Sequence, residues 1–191
     1  MYWNKDKDEE EEEVEVCKVV GNEMYFVGEI SPENNLEFLE KFKRLESTLL
    51  KMAADLHGYT PEIRIHICSD GGDLFSGFSL MNHIEKSRVK VVTIADGSCC
   101  SAATFFLLGG RERRISRNAF ILIHQLSTGH YGKYEEMKDE LRTCDKLMEQ
   151  IRDVYTAKTN IPEKKLNKLL KHDIYLEAAK ALKYQVVHAY D

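Results

Sequence analysis

A serine at the junction of two apolar segments is the first residue of this sequence that suggests chemistry. Residues 97–104 lie between a β-branched run, residues 89–95, and an apolar run, residues 105–108, that a glycine pair follows. The first run predicts a buried strand and the second a buried helix, so Ser101 falls at the corner between them. Free backbone N–H groups and the positive end of the helix dipole occur at such a corner. A nucleophile and the donors that stabilise an oxyanion can therefore lie side by side here.

Two further sites at predicted strand ends have residues that suit a serine nucleophile. Gly71-Gly72 follows the alternating strand 63–68, and paired glycines let backbone N–H groups approach a ligand closely. His124 ends the apolar strand 119–123. A serine needs a base within about 3 Å, and the base needs a carboxylate that fixes its tautomer. His124 is the best base by position. The carboxylate stays open among four candidates: Asp96, Asp139, Asp145 and Asp173.

Each of these features also has an ordinary structural interpretation. Serine is a common N-cap of helices, glycine pairs commonly form tight turns, and a histidine at the end of an apolar strand is often a core residue. The residues alone therefore indicate a serine hydrolase whose acidic member is unassigned.

Composition narrows the classes of protein to which the chain can belong. Its 191 residues are 43% hydrophobic and 31% charged, as in an ordinary globular domain. The formal net charge of −5 gives no electrostatic basis for nucleic-acid binding. No apolar run approaches the ~20 residues of a membrane span, and no secretory signal is recognisable. Five scattered cysteines without CxxC spacing predict no zinc site or redox dithiol. We expect no metal or organic cofactor and a cytoplasmic location.

The order of the predicted elements indicates an α/β fold. Strands and helices alternate along most of the chain, which favours a parallel sheet with crossover helices. We expect residues 1–13, which end in five glutamates, to form an acidic mobile tail. Residues 14–191 should then form a single domain.

Several local patterns predict how the site is held. A helix should begin at Ser31-Pro32 and bury a stripe that includes Leu36. Residues 111–114 predict a solvated loop or the start of a strand. A long helix from Tyr134 carries its own apolar stripe. A helix over residues 176–182 and a last strand at residues 185–187 should end the chain.

Four short motifs together resemble those of the proteolytic subunit of the Clp protease. They are the nucleophile motif, the histidine motif, a Ser-Asp-Gly-Gly turn that resembles Ser-Pro-Gly-Gly, and a segment that begins with Asp and ends with Ala. The motifs follow the order of that family and roughly its spacing. They occupy residues 97–103, 123–125, 69–72 and 173–178.

The resemblance implies a serine endopeptidase and assigns its residues. Ser101 would be the nucleophile, His124 the general base and Asp173 the acid that orients it. The backbone N–H groups of Gly72 and Ala102 would form the oxyanion hole. Extended peptides would bind between two backbone segments and be read mainly through their main chain. The residues of these segments are Gly72, Asp73 and Leu74, and Ser127, Thr128 and Gly129.

The resemblance also implies an architecture and an assembly. The fold would be a crotonase-like stack of repeated βαβ units with a projecting helical handle at about residues 126–158. The handle would join two stacked heptameric rings of identical chains around a chamber. Protein and peptide substrates would enter with the help of an AAA+ unfoldase, and any ATP would belong to that partner. The sequence departs from the family pattern at several positions: Asp70, Ser98, Cys99, Cys100, Gln185 and the acidic N-terminal segment.

Two alternatives come from other functional classes. The first is a catalytically silent subunit that only builds or regulates a ring, and an intact set of Ser101, His124 and Asp173 argues against it. The second is an acyl-CoA enzyme of the crotonase type, which shares the fold and an oxyanion hole but needs no serine–histidine–acid set. Labelling with a fluorophosphonate probe separates both alternatives from the peptidase.

Overall fold

The computed structural model describes residues 15–191, so the tail predicted at residues 1–13 lies outside the described residues. The described chain forms a sheet with helices packed on it. Its strands are β1 (Cys17–Val20), β2 (Glu23–Val27), β3 (Glu62–Ser69), β4 (Lys90–Cys100), β5 (Glu112–Ile115), β6 (Phe120–Leu122), β7 (Tyr175–Glu177) and β8 (Ala189–Tyr190). Its helices are α1 (Pro32–Asp55), α2 (Leu74–Glu85), α3 (Ala102–Leu108), α4 (Tyr134–Lys158), α5 (Glu163–Leu169) and α6 (Ala178–Lys183).

The sheet is mainly parallel, as the alternation of strands and helices predicted. Its strands follow the order β1-β2-β3-β4-β5-β8, and the pairs from β2 to β8 along this path are parallel. Strand β4 divides its pairing between two neighbours: residues 92–95 pair with β5, and residues 98–100 pair with β6. Antiparallel pairing of β7 with β6 then continues the sheet beside the end of β4.

Helix α1 begins as predicted, and Phe42, Leu45 and Leu49 of the predicted stripe are buried, but the two ends of the stripe are not. Ser31 is its N-cap and accepts a hydrogen bond from the N–H of the third residue after it. Leu36, predicted to be buried, is 71% exposed, whereas Phe38 is fully buried. Phe38 stacks on Phe42 and meets Phe106 of α3 in an edge-to-face contact. These aromatic contacts, together with the crossover of the chain, determine which face of α1 meets the sheet.

The predictions for the end of the chain are partly wrong. The helix predicted over residues 176–182 begins only at Ala178, because residues 175–177 form strand β7. The strand predicted at residues 185–187 is absent from that segment of the described chain, and the last strand is β8. Val186 and Val187 are buried in the core without forming a strand. Their apolar side chains therefore indicated burial and not strand structure.

Residues 111–114, predicted as a solvated loop or the start of a strand, include the start of β5 and a buried arginine. The side chain of Arg113 donates to the carbonyl oxygens of Val186 at 2.8 Å, Lys158 at 2.8 Å and Gln185 at 2.9 Å. Burial lowers the pKa of Arg113. The guanidinium nevertheless stays protonated at neutral pH. It fastens the end of α4 and the segment before β8 to the sheet.

Replacing Arg113 with Met should lower the free energy of unfolding by about 2–4 kcal/mol, because buried carbonyl groups lose their donors. The neighbouring Arg114→Met is the control, since Arg114 is partly exposed and pairs with Glu112. Such a surface pair contributes at most about 1 kcal/mol. Urea denaturation at equal protein concentration measures both changes, and equal losses for the two variants would contradict this role of Arg113.

Candidate active site

The ends of neighbouring strands bring the predicted residues to one edge of the sheet. Ser101 directly follows β4, and its N–H donates to the carbonyl of Leu122, the last residue of β6, at 2.8 Å. Cys100 lies opposite Leu122 in the parallel pair of β4 and β6. His124, two residues beyond β6, therefore lies beside the start of α3. The local pairing of two strands thus makes Ser101 and His124 neighbours at the end of the sheet.

Strand β7, which the sequence pattern did not predict, brings a carboxylate to the same edge. Leu122 lies opposite Tyr175 in the antiparallel pair of β6 and β7. Continuing this register by two residues places Asp173 opposite His124. The structure has 3.8 Å between Nδ1 of His124 and Oδ1 of Asp173. This separation is within ion-pair range but longer than a hydrogen bond, which extends to about 3.2 Å.

The other carboxylates that the sequence left open lie away from His124. Asp96 contacts Nδ1 of His66 at 3.2 Å on another part of the sheet. Asp139 and Asp145 lie on the exposed surface of α4. Among the described residues, the carboxylate before β7 is therefore the candidate that faces the imidazole.

The backbone of Ser101 has a conformation that residues with a side chain rarely adopt. Its φ is 53° and its ψ is −124°. These angles are those of the first central position of a type II′ turn, where glycine dominates. Holding a side chain in such a conformation costs of the order of 1–3 kcal/mol. The serine side chain makes no capping hydrogen bond to α3, so the N-cap interpretation does not explain its presence. A strained serine between a strand and a helix is the arrangement that exposes a nucleophile.

The predicted glycine turn packs directly against this serine. Gly71 has a φ of +103°, and a Cβ atom there would lie 2.6 Å from the Cβ of Ser101. Ile30 donates to the carbonyl of Gly71 at 2.8 Å and accepts from the N–H of Asp73 at 2.8 Å. Directions of N–H groups alternate along an extended segment, so the N–H of Gly72 points away from Ile30 and towards the side of β4. That side is where Ser101 lies.

A second free donor lies at the start of α3. Ala102 is the first residue of that helix, and the first N–H groups of a helix lack partners within it. Ala102 is 2% exposed. The glycine turn and the start of α3 therefore both lie next to Ser101.

These groups line a cleft of about 410 Å³. Ser101, His124 and Ala102 form part of its wall, together with the backbone segments 72–75 and 125–128. One stripe of α4 contributes further lining residues: Glu140, Thr143, Cys144, Leu147, Ile151 and Tyr155. The sequence predicted an apolar stripe on this helix, but the stripe alone did not indicate that part of it faces a cleft.

The structure modifies the predicted substrate segments. Gly72, Asp73, Leu74, Ser127 and Thr128 line the cleft, whereas Gly129 is not among its lining residues. Leu74 already belongs to α2, and Asp73 caps that helix by accepting from the N–H of Ser76 at 2.7 Å. The N–H of Asp73 is also bound, to Ile30. On this side of the cleft, Gly72 is therefore the residue whose main chain is available for an extended peptide.

Within residues 15–191, no helix combines the length and apolarity needed to cross a membrane. In the same part of the chain, no group of three or more His, Cys, Asp or Glu residues is arranged to hold a metal ion.

This chain is similar in sequence to members of one protein family. The family model described as Clp protease matches residues 43–189. The "ATP-dependent Clp protease proteolytic subunit 2" of Treponema denticola is 31% identical over 160 residues, which are 83% of this chain and 78% of that protein. The "ATP-dependent Clp protease proteolytic subunit" of Deinococcus radiodurans is 27% identical over 128 residues, which are 66% of this chain and 63% of that protein.

A solved structure agrees with these sequence matches at the level of the fold. A point mutant of ClpP1 from Listeria monocytogenes superposes with a TM-score of 0.76 at 21% identity, and the match covers 90% of this chain and 91% of that one. The predicted ClpP-like α/β fold is therefore confirmed. The family model covers most of the chain, and the low identities show a divergent sequence. The chain belongs to the Clp protease family.

Proposed function

We propose that this protein is a serine endopeptidase that hydrolyses peptide bonds through an acyl-enzyme. Ser101 attacks the peptide carbonyl, and His124 takes the serine proton and passes it to the leaving amine. Asp173 orients the imidazole and stabilises its charged form. Water then attacks the acyl-enzyme, with His124 again acting as the base. The observation that carries this proposal is the common position of Ser101 and His124 in one cleft, with Asp173 3.8 Å from the imidazole.

The backbone N–H groups of Gly72 and Ala102 form the oxyanion hole in this proposal. Both residues line the cleft beside Ser101. Donors that are fixed by the fold stabilise the tetrahedral intermediate without reorganising during the reaction. Gly72 also suits this role because it has a φ of +143°, and a Cβ atom there would lie 2.2 Å from the carbonyl oxygen of Ile30.

The distance between His124 and Asp173 is compatible with this mechanism. Hydrogen bonds in unliganded active sites are often long and tighten when substrate binds. The Asp173 side chain is 78% exposed, so it has room to rotate towards the imidazole, which is 22% exposed. We infer that substrate binding shortens this contact to hydrogen-bond length.

The substrates are peptides and proteins that bind in extended form along the cleft. One side of the bound chain pairs with the main chain of Gly72, and the other pairs with the segment that contains Ser127 and Thr128. Recognition through main-chain hydrogen bonds gives a low dependence on side chains. No metal or organic cofactor takes part in this chemistry.

The assembly that we propose is two stacked heptameric rings around a chamber, located in the cytoplasm and served by an AAA+ unfoldase. The handle comprises residues 126–158, and α4 is its helix. Three apolar side chains on the first part of α4 are exposed in the single chain: Tyr134, 73%; Met137, 52%; and Leu141, 64%. Contact between the handles of two rings would bury them.

The role of Ser101 can be tested with a fluorophosphonate probe. The wild-type protein should be labelled on Ser101, and Ser101→Ala should lose labelling and lower kcat for peptides by about 10⁴-fold or more. Ser98→Ala is the control, because Ser98 lies near the end of β4, close to Ser101 in sequence, but does not line the active-site cleft. Labelling is read by intact-mass and peptide-mapping mass spectrometry.

Three outcomes of this experiment contradict the peptidase. Full peptide cleavage by Ser101→Ala would exclude Ser101 as the nucleophile. A wild-type protein that is neither labelled nor active would favour a silent ring subunit. Turnover of an acyl-CoA thioester without labelling would favour an enzyme of the crotonase type.

The role of the handle can be tested by particle mass. Leu141→Asp places a charge in the proposed contact between rings, so it should convert the assembly to single rings with half the wild-type mass. Lys146→Asp is the control, since Lys146 is an exposed residue on the opposite face of the same helix. Analytical ultracentrifugation or native mass spectrometry measures the change. An unchanged mass for Leu141→Asp would argue against this contact.

A further inference from the structure

Two buried hydroxyl groups connect α4 to the backbone of the candidate nucleophile. The hydroxyl of Thr104 donates to the carbonyl oxygen of Ser101 at 2.6 Å, and the N–H of Thr104 donates to the same oxygen at 3.0 Å. The Thr104 hydroxyl is also in a short hydrogen bond with the phenol of Tyr155. A threonine hydroxyl has one proton, and this proton is already donated to Ser101, so the phenol is the donor of the second bond.

The surroundings keep this pair in one arrangement. Thr104 is 0% exposed and Tyr155 is 1% exposed. Burial raises the pKa of the Tyr155 phenol, which therefore stays protonated and able to donate. The ring of Tyr155 packs on Phe105, the residue after Thr104, with 5.4 Å between ring centroids. A threonine that bonds to a carbonyl within its own turn is common, but here the bond is extended by a donor from a different helix.

Covalent geometry carries the effect of this pair to the oxyanion donor. The Ser101 carbonyl and the Ala102 N–H belong to the same peptide unit, which is planar and trans, so the two bonds point in opposite directions. Any contact that holds the carbonyl in place also holds the direction of the Ala102 N–H. The same contacts restrain the ψ angle of Ser101, whose backbone is strained.

We propose that Thr104 and Tyr155 are positioning residues that direct the Ala102 N–H towards the oxyanion and hold the strained turn at Ser101. This inference rests on the proposed role of Ser101 and Ala102. It makes α4, the helix of the handle, part of the support of the active site. Neither residue touches the reacting atoms.

Removing either hydroxyl should slow the chemistry and leave binding intact. Thr104→Val and Tyr155→Phe should each lower kcat for peptide hydrolysis, and the rate constant for fluorophosphonate labelling, by at least about tenfold. Loss of a complete oxyanion donor costs about 10²–10³ in kcat, and a misdirected donor costs part of that. KM should stay within about twofold. Thr104→Ser keeps the hydroxyl and should retain most of the wild-type rate.

Thr93→Val is the matched control for a purely structural effect. Thr93 is also 0% exposed, and its hydroxyl donates at 2.6 Å to a carbonyl of α3, that of Leu107 at the opposite end from Ser101. This variant should lose thermal stability as Thr104→Val does but keep the wild-type kcat. An equal loss of kcat in Thr93→Val would show that any lost hydrogen bond on α3 slows the reaction, which would overturn the inference.

A cycle of melting temperatures tests the same inference without activity. Ser101→Gly relieves the strain of the turn. In the wild type, loss of the Thr104 hydroxyl lets the strained turn relax, and the released strain offsets part of the lost hydrogen bond, whereas Ser101→Gly has no such strain to release. The loss of Tm caused by Thr104→Val should therefore be larger, by several degrees, in Ser101→Gly than in the wild type. Equal losses in the two backgrounds would contradict the restraint of Ser101 by Thr104.

The outcomes separate the inference from the proposed function. If the wild type is labelled and both hydroxyl variants react at its rate, the positioning role is wrong and the peptidase proposal stands. If the wild type is never labelled, the peptidase proposal fails. The proposed role of Thr104 and Tyr155 in orienting the Ala102 N–H towards an oxyanion then fails with it. The melting-temperature cycle then decides whether the pair still restrains the turn.

Discussion

The pairing of β6 with β4 on one side and β7 on the other is the interaction on which the candidate site depends. Ser101, His124 and Asp173 are each placed by this three-strand arrangement, because each lies one or two residues from the end of a paired strand. Shifting a strand register by one residue turns every side chain to the other face of the sheet. The short strands β6 and β7 thus have a functional importance that exceeds their length.

The turn at Ser101 concentrates conformational strain at the same place. Three separate elements oppose its relaxation: Gly71 packs on its Cβ position, Leu122 accepts its N–H, and Thr104 donates to its carbonyl. The strain is therefore held by contacts from the turn after β3, from β6 and from α3, and not by the serine itself. Such an over-determined turn keeps a hydroxyl and backbone donors in a fixed relation, which is what acyl transfer requires.

The sequence was informative where local patterns determine structure. Hydrophobic alternation placed β3, a continuous apolar run placed β6, and small residues at the end of β4 located the turn at Ser101. The third side chain was different, because Asp173 gains its position from β7, a three-residue strand with an exposed aromatic and a carboxylate among its residues. Only its pairing with β6 makes that segment a strand. Motif resemblance indicated Asp173, whereas the periodicity of the residues predicted a helix immediately after it.

Residues that act through tertiary contacts could not be predicted from the sequence. Thr104 resembles any threonine in an apolar helix, and Tyr155 lies 51 positions further along the chain, at the end of the predicted stripe of α4. Their contact depends on how α4 packs over α3. Arg113 was missed for a similar reason, because its neighbours in sequence are charged and its burial arises from the C-terminal segment that covers it.

The most direct test of the account is whether Ser101, His124 and Asp173 act as one unit. Fluorophosphonate labelling rates of Ser101 can be compared in the wild type, His124→Ala, Asp173→Asn and the double variant. Members of a catalytic unit are strongly non-additive, so the double variant should react no more than about threefold more slowly than His124→Ala alone. Losses that multiply across the two sites would show that Asp173 and His124 act independently, which would contradict the alignment proposed at the ends of β4, β6 and β7.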